Sequence, residues 1–199
     1  MEIKRFTENP INEILESIKR IFPTKAFKNS DSESVSRIIQ MCMRERHYSV
    51  FTHVVATIEF ACSLKVIHEL CNNNLHVTPK AHVVEKEDYS IEFIFPEEIK
   101  DGDLNVLFTN YIKYVSKTIR QMVEKDKKVD LTYLLPGCTK MDVLITASFL
   151  EWMKIIRLSY FSRTSSELRV ICSLLYDKLS HICPEVFNKN ILRMKIEME

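Results

Sequence analysis

Glycine is scarce in this chain, and the shortage limits how it could bind a nucleotide. Gly102 and Gly137 are the only glycines among 199 residues. A phosphate-binding loop needs several, because its backbone must approach the anion closely and adopt positive φ angles. The P-loop and the glycine-rich dinucleotide fingerprint are therefore both excluded. Any nucleotide that this chain binds must be held by side chains.

Histidines and cysteines could hold a metal ion, but their spacing argues against it. His68, His76 and His82 lack the spacing of a metal site. No two of the six cysteines have the two-residue separation of a zinc knuckle or a redox motif. We therefore predict no metal site. We also expect reduced thiols in an intracellular, cytoplasmic protein.

The bulk composition is that of an ordinary folded protein. Hydrophobic residues make up 46% of the chain and charged residues 28%. The 28 Lys and Arg residues nearly balance the 27 Asp and Glu residues, so no nucleic-acid partner is evident. Charged residues interrupt every apolar stretch before it reaches the roughly 18 residues that span a membrane, so no membrane partner is expected.

The spacing of apolar residues predicts one α+β domain. Helical spacing marks segments at 10–22, 30–42, 63–73, 103–125, 150–156 and 164–183. Alternation or β-branched content predicts strands at 54–60, 89–95 and 141–145. Capping boxes are expected to open two helices, one at Ser30 and one at Thr164. The longest helix is expected to bury one apolar stripe, made of Leu107, Tyr111, Val115, Ile119 and Met122.

Three segments in order resemble one known family. The first is His47-Tyr48-Ser49-Val50-Phe51-Thr52-His53, which precedes a predicted strand, and the second runs from Ser63 through His68-Glu69-Leu70. The third begins at Leu135-Pro136, passes Arg157 and ends at Ser166-Glu167-Leu168-Arg169. In order and spacing they resemble the flavin-dependent thymidylate synthases, over residues 47 to about 187.

The resemblance implies a single domain, in which an antiparallel sheet packs against long helices. Residues 1–46 would form an amino-terminal helical segment of that domain, and residues 47–199 would form its core. The family is tetrameric, so we expect a homo-oligomer or a subunit of a protein complex. The helices at 103–125 and 164–183 are expected to pack between subunits.

The resemblance also suggests roles for three residues. His47 and Ser49 match family positions that contact the flavin, so they are candidate cofactor-binding residues. Arg157 is the candidate substrate-binding residue. No catalytic residue is assigned, because in the family reaction reduced flavin carries the hydride and the protein supplies binding and orientation. Plainer roles stay open: His47 could cap the strand, Arg157 could interact with a helix dipole, and His53 is expected to brace the core.

The family signature, Arg-His-Arg, seven residues, then Ser-x-Arg, is absent from this chain. Counting from His53 without a gap places it on Asn72-Asn73-Asn74 and on His82-Val83-Val84. Each lost hydrogen bond from a cation to a phosphate is worth on the order of 1.5–3 kcal/mol. Losing three such bonds weakens anion binding by several orders of magnitude. A further family arginine is Thr132 here, and two flavin-contacting asparagines are Thr146 and Trp152.

These departures leave two functional hypotheses. The first is a catalytically inactive descendant, kept as a structural or interaction module, for which no cofactor is expected. The second is an active flavin- or nucleotide-binding enzyme with a rebuilt site, which methylates dUMP or modifies a related pyrimidine. FAD would be its cofactor.

The same alignment makes predictions about the cleft itself. The segment 63–84 should be a helix followed by an extended stretch, with Asn72, His82 and Val84 facing a pocket that is smaller and less basic than a flavin site. Trp152 is expected in the core or in an interface. Arg157 would need a counter-charge from Glu69 or Glu167, because an unpaired buried arginine is costly.

Overall fold

The computed structural model describes residues 1–23, 32–71, 77–79, 91–126 and 130–193. Four strands lie within these ranges: β1 (Glu2–Phe6), β2 (Val55–Ser63), β3 (Val77–Pro79) and β4 (Lys140–Ser148). The helices are α1 (Pro10–Ile21), α2 (Ser32–Arg44), α3 (Leu64–Cys71), α4 (Gly102–Lys125), α5 (Phe149–Leu158), α6 (Ser166–Ile182) and α7 (Lys189–Arg193). Short 3-10 turns cover Tyr48–Phe51, Glu97–Ile99 and Leu131–Leu134. This architecture confirms the predicted α+β class.

The four strands form one sheet in the order β1-β2-β4-β3. Buried residues alternate with more exposed ones along β2 and β4, as expected for strands whose side chains point to opposite faces of a sheet. The strands predicted at 54–60 and 141–145 are therefore confirmed. The predicted strand at 89–95 is not: Tyr89 and Ser90 lie outside the described residues, and in the described remainder Phe93 makes a single bridge to Thr139.

The edge strand β1 was not predicted from the sequence. It pairs antiparallel with β2, with Glu2 opposite Glu59 and Phe6 opposite Ala56. Four of its five residues are exposed, so the strand lacks the hydrophobic alternation that marks the inner strands. The Lys4 ammonium lies 2.6 Å from the Glu59 carboxylate, but an exposed pair contributes only about 0.2–1 kcal/mol. Backbone pairing to β2 therefore defines this strand.

Contacts divide the chain into two compact units, Met1–Glu59 with Ile145–Glu199, and Phe60–Leu144. In the first unit α5 packs against α6, and the Phe149 and Phe187 rings meet edge to face with centroids 4.9 Å apart. In the second unit, Ile119 and Val123 of α4 form the centre of a buried cluster. The proposed boundary between residues 46 and 47 stays a prediction.

The helix α4 occupies the predicted range but buries only part of the predicted stripe. Its buried residues are Ile112, Ile119 and Val123. Leu107 and Tyr111, which were expected to be buried, are 66% and 48% exposed. The predicted stripe is confirmed at Ile119 and wrong at Leu107 and Tyr111, because α4 has apolar residues over a wider arc than the face that its own unit covers.

Two other local predictions concern helix starts. The expected capping box at Ser30 lies outside the described residues. At α6 the cap is Ser165 instead of Thr164, and its Oγ accepts a hydrogen bond from the Leu168 N–H at 3.3 Å. The Thr164 hydroxyl instead donates to the Leu158 carbonyl at 2.5 Å. The helix therefore begins one residue later than predicted.

The segment after β2 agrees with the sequence prediction where it is described. The helix α3 ends at Cys71, and the extended strand β3 follows at Val77–Pro79. The signature positions 72–74 and 82–84 lie outside the described residues, so the pocket predicted around them stays a prediction. Among the described helices, none has both the length and the apolar character needed to cross a bilayer.

Candidate functional site

His47 lies between α2 and the 3-10 turn Tyr48–Phe51, and its ring packs against another ring. The centroids of the His47 and Phe22 rings are 5.0 Å apart, and the rings meet edge to face at 78°. The His47 backbone N–H also donates to the Cys42 carbonyl at 2.9 Å. His47, one of the two candidate cofactor-binding residues, therefore packs between the end of α1 and the end of α2.

Ser49 is exposed and lines a cleft of about 480 Å³ between α1 and the 3-10 turn. The cleft is lined by Glu13, Glu16, Ser17, Arg20, Ile21, Ser49, Val50 and His53. Its volume falls in the range of about 300–1,000 Å³ that is typical of small-molecule sites. His53 is exposed on this cleft, so the expectation that it braces the core was wrong.

The charges of this cleft are mixed. Glu13 and Glu16 stand on the same helix as Arg20, and Glu16 forms an ion pair with Lys19 at 2.5 Å. A flavin dinucleotide brings a doubly charged pyrophosphate, which cations and helix N-termini stabilise and carboxylates repel. The cleft around Ser49 is therefore large enough for a ligand but poorly matched to a diphosphate.

Arg157 lies at the end of α5 and is buried, with 9% of its surface exposed. Its Nε donates to the Leu192 carbonyl at 2.6 Å, which ties the end of α5 to the last turn of α7. Burial lowers the pKa of Arg157, and the nearby phenols of Tyr48 and Tyr160 partly oppose that shift. In place of the predicted counter-charge from Glu69 or Glu167, the structure gives the Arg157 guanidinium a backbone carbonyl as its hydrogen-bond acceptor.

We expect Arg157→Met to lower the free energy of unfolding by about 1–3 kcal/mol, because the buried Leu192 carbonyl loses its donor while the apolar volume is kept. Urea denaturation followed by circular dichroism measures the change. Arg169→Met on α6 is the matched control, since the Arg169 guanidinium is exposed and bonds the Ser162 carbonyl at 3.0 Å. An Arg157 variant as stable as the control would contradict the structural role.

Thr146 and Trp152 stand where the resemblance places the two flavin-contacting asparagines of the family. The Thr146 hydroxyl lies 2.9 Å from the Thr57 hydroxyl on the neighbouring strand. Trp152 is fully buried, and its indole N–H donates to the Ala56 carbonyl at 3.1 Å. The prediction that Trp152 lies in the core is confirmed. Thr146 thus links two strands of the sheet, and Trp152 ties α5 to the sheet.

Sequence reasoning did not single out Tyr48, Tyr160 or the α1 wall of the cleft. Tyr48 belongs to the 3-10 turn that packs on α5, and it lies close enough to Arg157 to affect its pKa. The structure therefore brings the turn that carries Ser49 near the Arg157 end of α5. Tyr48 could have been noticed, because it lies between two candidate residues. Glu13 and Arg20 could not, because only tertiary packing places them beside Ser49.

A second, smaller groove of about 150 Å³ lies between the end of α5 and α6. Its lining is Ile156, Ser159, Tyr160, Arg169, Cys172, Ser173, Tyr176 and Lys189. Cys172 donates from its thiol to the Ile155 carbonyl at 3.1 Å. Across the described part of the chain, no group of three or more His, Cys, Asp or Glu side chains could hold a metal ion.

Comparison with known proteins agrees with this architecture. The family model of the thymidylate synthase complementing proteins matches residues 5–185. The structure of thymidylate synthase X from Helicobacter pylori, solved with FAD and dUMP, superimposes with a TM-score of 0.74 at 13% identity. The superposition covers 97% of this chain and 100% of that one. At this identity the likeness shows a shared fold.

No match was found among curated protein sequences. The family model nevertheless spans most of the chain, from the end of β1 to the residues that follow α6. The protein therefore belongs to the thymidylate synthase complementing protein family, that of the flavin-dependent thymidylate synthases.

Proposed function

We propose that this chain is a catalytically inactive member of its family, retained as a structural or interaction module. The observation that carries the proposal is Trp152. The resemblance aligns it with a flavin-contacting asparagine of the family, yet it is fully buried and its one hydrogen-bond donor is used by the Ala56 carbonyl. A side chain in that position stabilises the core, and its hydrogen-bonding group is not available to a cofactor.

Two further positions support the same proposal. Arg157 stands where the resemblance implies nucleotide contact, but it is 9% exposed and its Nε holds the Leu192 carbonyl. Thr146 stands at the second flavin-contact position and pairs with Thr57. In each case contacts within the chain replace contacts to a ligand. Together with the absent signature cations, these replacements remove the side chains that would hold the anionic groups of FAD and dUMP.

The charge around Ser49 supports the proposal independently. Glu13 and Glu16 face the cleft that Ser49 lines. Their carboxylates would repel the flavin pyrophosphate, while Arg20 offers the one guanidinium among the lining residues.

We place the protein in the reducing cytoplasm, because all six cysteines are described and none forms a disulfide.

A purified sample tests the proposal through its colour. Protein that binds flavin tightly is yellow and absorbs near roughly 450 nm. We expect no such band after purification in the presence of excess FAD and removal of free cofactor. A titration with dUMP in a calorimeter is expected to show no heat of binding. A stoichiometric flavin band would contradict the proposal.

The alternative is an active flavin- or nucleotide-binding enzyme with a rebuilt site, which methylates dUMP or modifies a related pyrimidine. The observation that favours it is the 480 Å³ cleft, with Ser49 and His53 on one wall and Arg20 on the other. The variants His53→Ala and Arg20→Ala distinguish the inactive module from the ligand-binding enzyme. If the cleft binds a nucleotide, both variants weaken the measured affinity, and the protein is an enzyme candidate.

A further inference from the structure

The groove of about 150 Å³ between the end of α5 and α6 differs in charge from the cleft that Ser49 lines. We call it the α5–α6 groove. Arg169 and Lys189 give it two cations, and none of the described residues that line it is acidic. Tyr160, Ser173 and Tyr176 add hydroxyl groups to the lining. A surface with this composition attracts an anion.

The polar residues of the α5–α6 groove come from three helices or their ends. Arg169, Ser173 and Tyr176 are separated by four and three residues, so they lie on one face of α6. Tyr160 follows the end of α5, and Lys189 is the first residue of α7. Because these donors reach one groove from separate elements, they suit a ligand that accepts hydrogen bonds from several directions at once.

Most of these donors are still available to a ligand. The Arg169 guanidinium donates from Nη2 to the Ser162 carbonyl at 3.0 Å, which holds the side chain in place. Within the part of the chain that the structure describes, its Nε and Nη1 have no acceptor. The same is true there of the Lys189 ammonium and of the hydroxyls of Ser173 and Tyr176. The groove therefore combines an anchored arginine with donors that have no other task.

We propose that the α5–α6 groove binds a phosphate group, either as the free ion or as a small phosphate monoester. Arg169 and Lys189 neutralise its charge, and the hydroxyls of Ser173 and Tyr176 donate to its remaining oxygens. The inference goes beyond the proposed inactive role, because none of the candidate cofactor-binding or substrate-binding residues lines this groove.

Size and charge select this ligand over others. The volume of about 150 Å³ is about half of the roughly 300 Å³ at which sites for small organic molecules begin, so a nucleoside has no room in the groove. A carboxylate brings a single charge in one plane, whereas phosphate is tetrahedral and carries close to two charges near neutral pH. Two cations and several hydroxyls from three helices therefore fit phosphate better than a carboxylate.

The exposed apolar surface of α6 lies on another side of the helix. Val170 and Leu174 are 61% and 45% exposed. At about 100° per residue, they lie about a third of a turn from Arg169 and Tyr176. A partner that packs on this apolar surface therefore does not cover the face of α6 that lines the α5–α6 groove.

Nuclear magnetic resonance of the full, isotope-labelled chain tests the site with inorganic phosphate as the probe. Chloride is removed as phosphate is added, so that the ionic strength stays constant and the screening of exposed charges does not change. We expect saturable shifts of the Ser173 and Tyr176 amide signals, with a dissociation constant of about 1 mM for phosphate and at least about tenfold weaker binding of acetate. The absence of a saturable shift up to about 30 mM phosphate would overturn the proposal.

Substitutions separate a built site from the general charge of the protein. Lys189→Gln removes one cation, and we expect it to raise the dissociation constant at least about fivefold; Arg169→Gln is expected to do the same. Ser173→Ala keeps every charge and removes one donor, with an expected rise of about threefold. Lys178→Gln is the matched control, since Lys178 is exposed on α6 and does not line the groove. If Lys178→Gln weakened binding as much as Lys189→Gln, phosphate would be following bulk charge and the site would be refuted.

Two further ligands identify the source of the phosphate group. Methyl phosphate that binds as tightly as the inorganic ion would assign the groove to monoesters, whereas methyl phosphate that fails to bind would assign it to the free ion. Both results support the site. We expect dUMP to leave the Ser173 signal unchanged, because its nucleoside is too large for the groove. A shift with dUMP that Lys189→Gln abolishes would overturn the proposed class of ligand.

The groove and the inactive role fail in different ways. A chain that binds phosphate in the groove and also purifies with stoichiometric flavin would support the phosphate site and refute the inactive role. A colourless chain whose Ser173 signal does not respond to phosphate would support the inactive role and refute the phosphate site.

Discussion

Replacing Trp152 with alanine is expected to lower the free energy of unfolding by about 3–5 kcal/mol. Trp152 is fully buried, and truncation leaves a cavity that its neighbours fill only in part. The buried Ala56 carbonyl would also lose the indole donor that now lies 3.1 Å away. Since a domain is stable by only about 5–15 kcal/mol, this is the largest stability effect we expect from any single substitution in the candidate site.

Urea denaturation followed by circular dichroism measures the loss, because Trp152 is the only tryptophan and its fluorescence vanishes with it. Trp152→Phe keeps most of the volume and removes the donor, so we expect a smaller loss of about 1–3 kcal/mol. Tyr133→Ala is the surface control, since Tyr133 is 89% exposed, and it should change stability by less than about 0.5 kcal/mol. If Trp152→Ala matched the control, Trp152 would not be a core residue.

The sequence predicts most of the inner elements, because their burial leaves a periodic pattern. The helices α5 and α6 repeat apolar residues at helical spacing, and every residue predicted for the inner stripe of α6 is buried: Leu168, Ile171, Leu175 and Leu179. The strand β4 alternates buried and exposed residues in the predicted register. Local periodicity reports burial wherever one face of an element is covered and the other is not.

The elements that the sequence did not predict correctly have physical reasons too. The strand β1 lies at the edge of the sheet and is mostly exposed, so backbone pairing defines it and no side-chain pattern does. On α4, Leu107 and Tyr111 match the helical period as well as Ile112 and Ile119 do. Periodicity cannot distinguish a face that is buried within the chain from one that stays exposed.

The candidate site also has features that the sequence predicts and features that only the folded structure shows. The departure from the family signature and the difference at Trp152 were inferred from residue types alone, because the chemistry requires particular side chains, and both stay predictions. The cleft that Ser49 shares with Glu13 and Arg20 could not be inferred in this way, because those residues come from segments about thirty positions apart and meet only after folding. Nor could the sequence indicate that the Arg157 guanidinium holds the Leu192 carbonyl.

With FAD, a reduced nicotinamide cofactor and methylene-tetrahydrofolate, the purified chain is expected to leave dUMP unconverted. In this chemistry reduced flavin carries the hydride, and the protein contributes by holding cofactor and substrate in a reactive geometry. If the three signature cations are absent, as the alignment predicts, each lost bond is worth about 1.5–3 kcal/mol to a bound phosphate, and the affinity for the ligands is expected to fall by at least about a thousandfold. The buried Trp152 and the engaged Arg157 supply no substitute.

The thymidylate synthase X of Helicobacter pylori, assayed in the same mixture, is the positive control for this prediction. We expect the rate of dTMP formation with the present chain to lie below about one thousandth of that control. Raising FAD and dUMP to millimolar concentrations is the stringent form of the test, because weak binding is overcome by mass action while a missing reactive geometry is not. A rate that approaches the control as the ligands are raised would mean that the site has lost affinity but kept its geometry. A rate equal to the control at ordinary concentrations would show that other residues have replaced the signature, and the cleft around Ser49 and His53 would then be the first place to look for them.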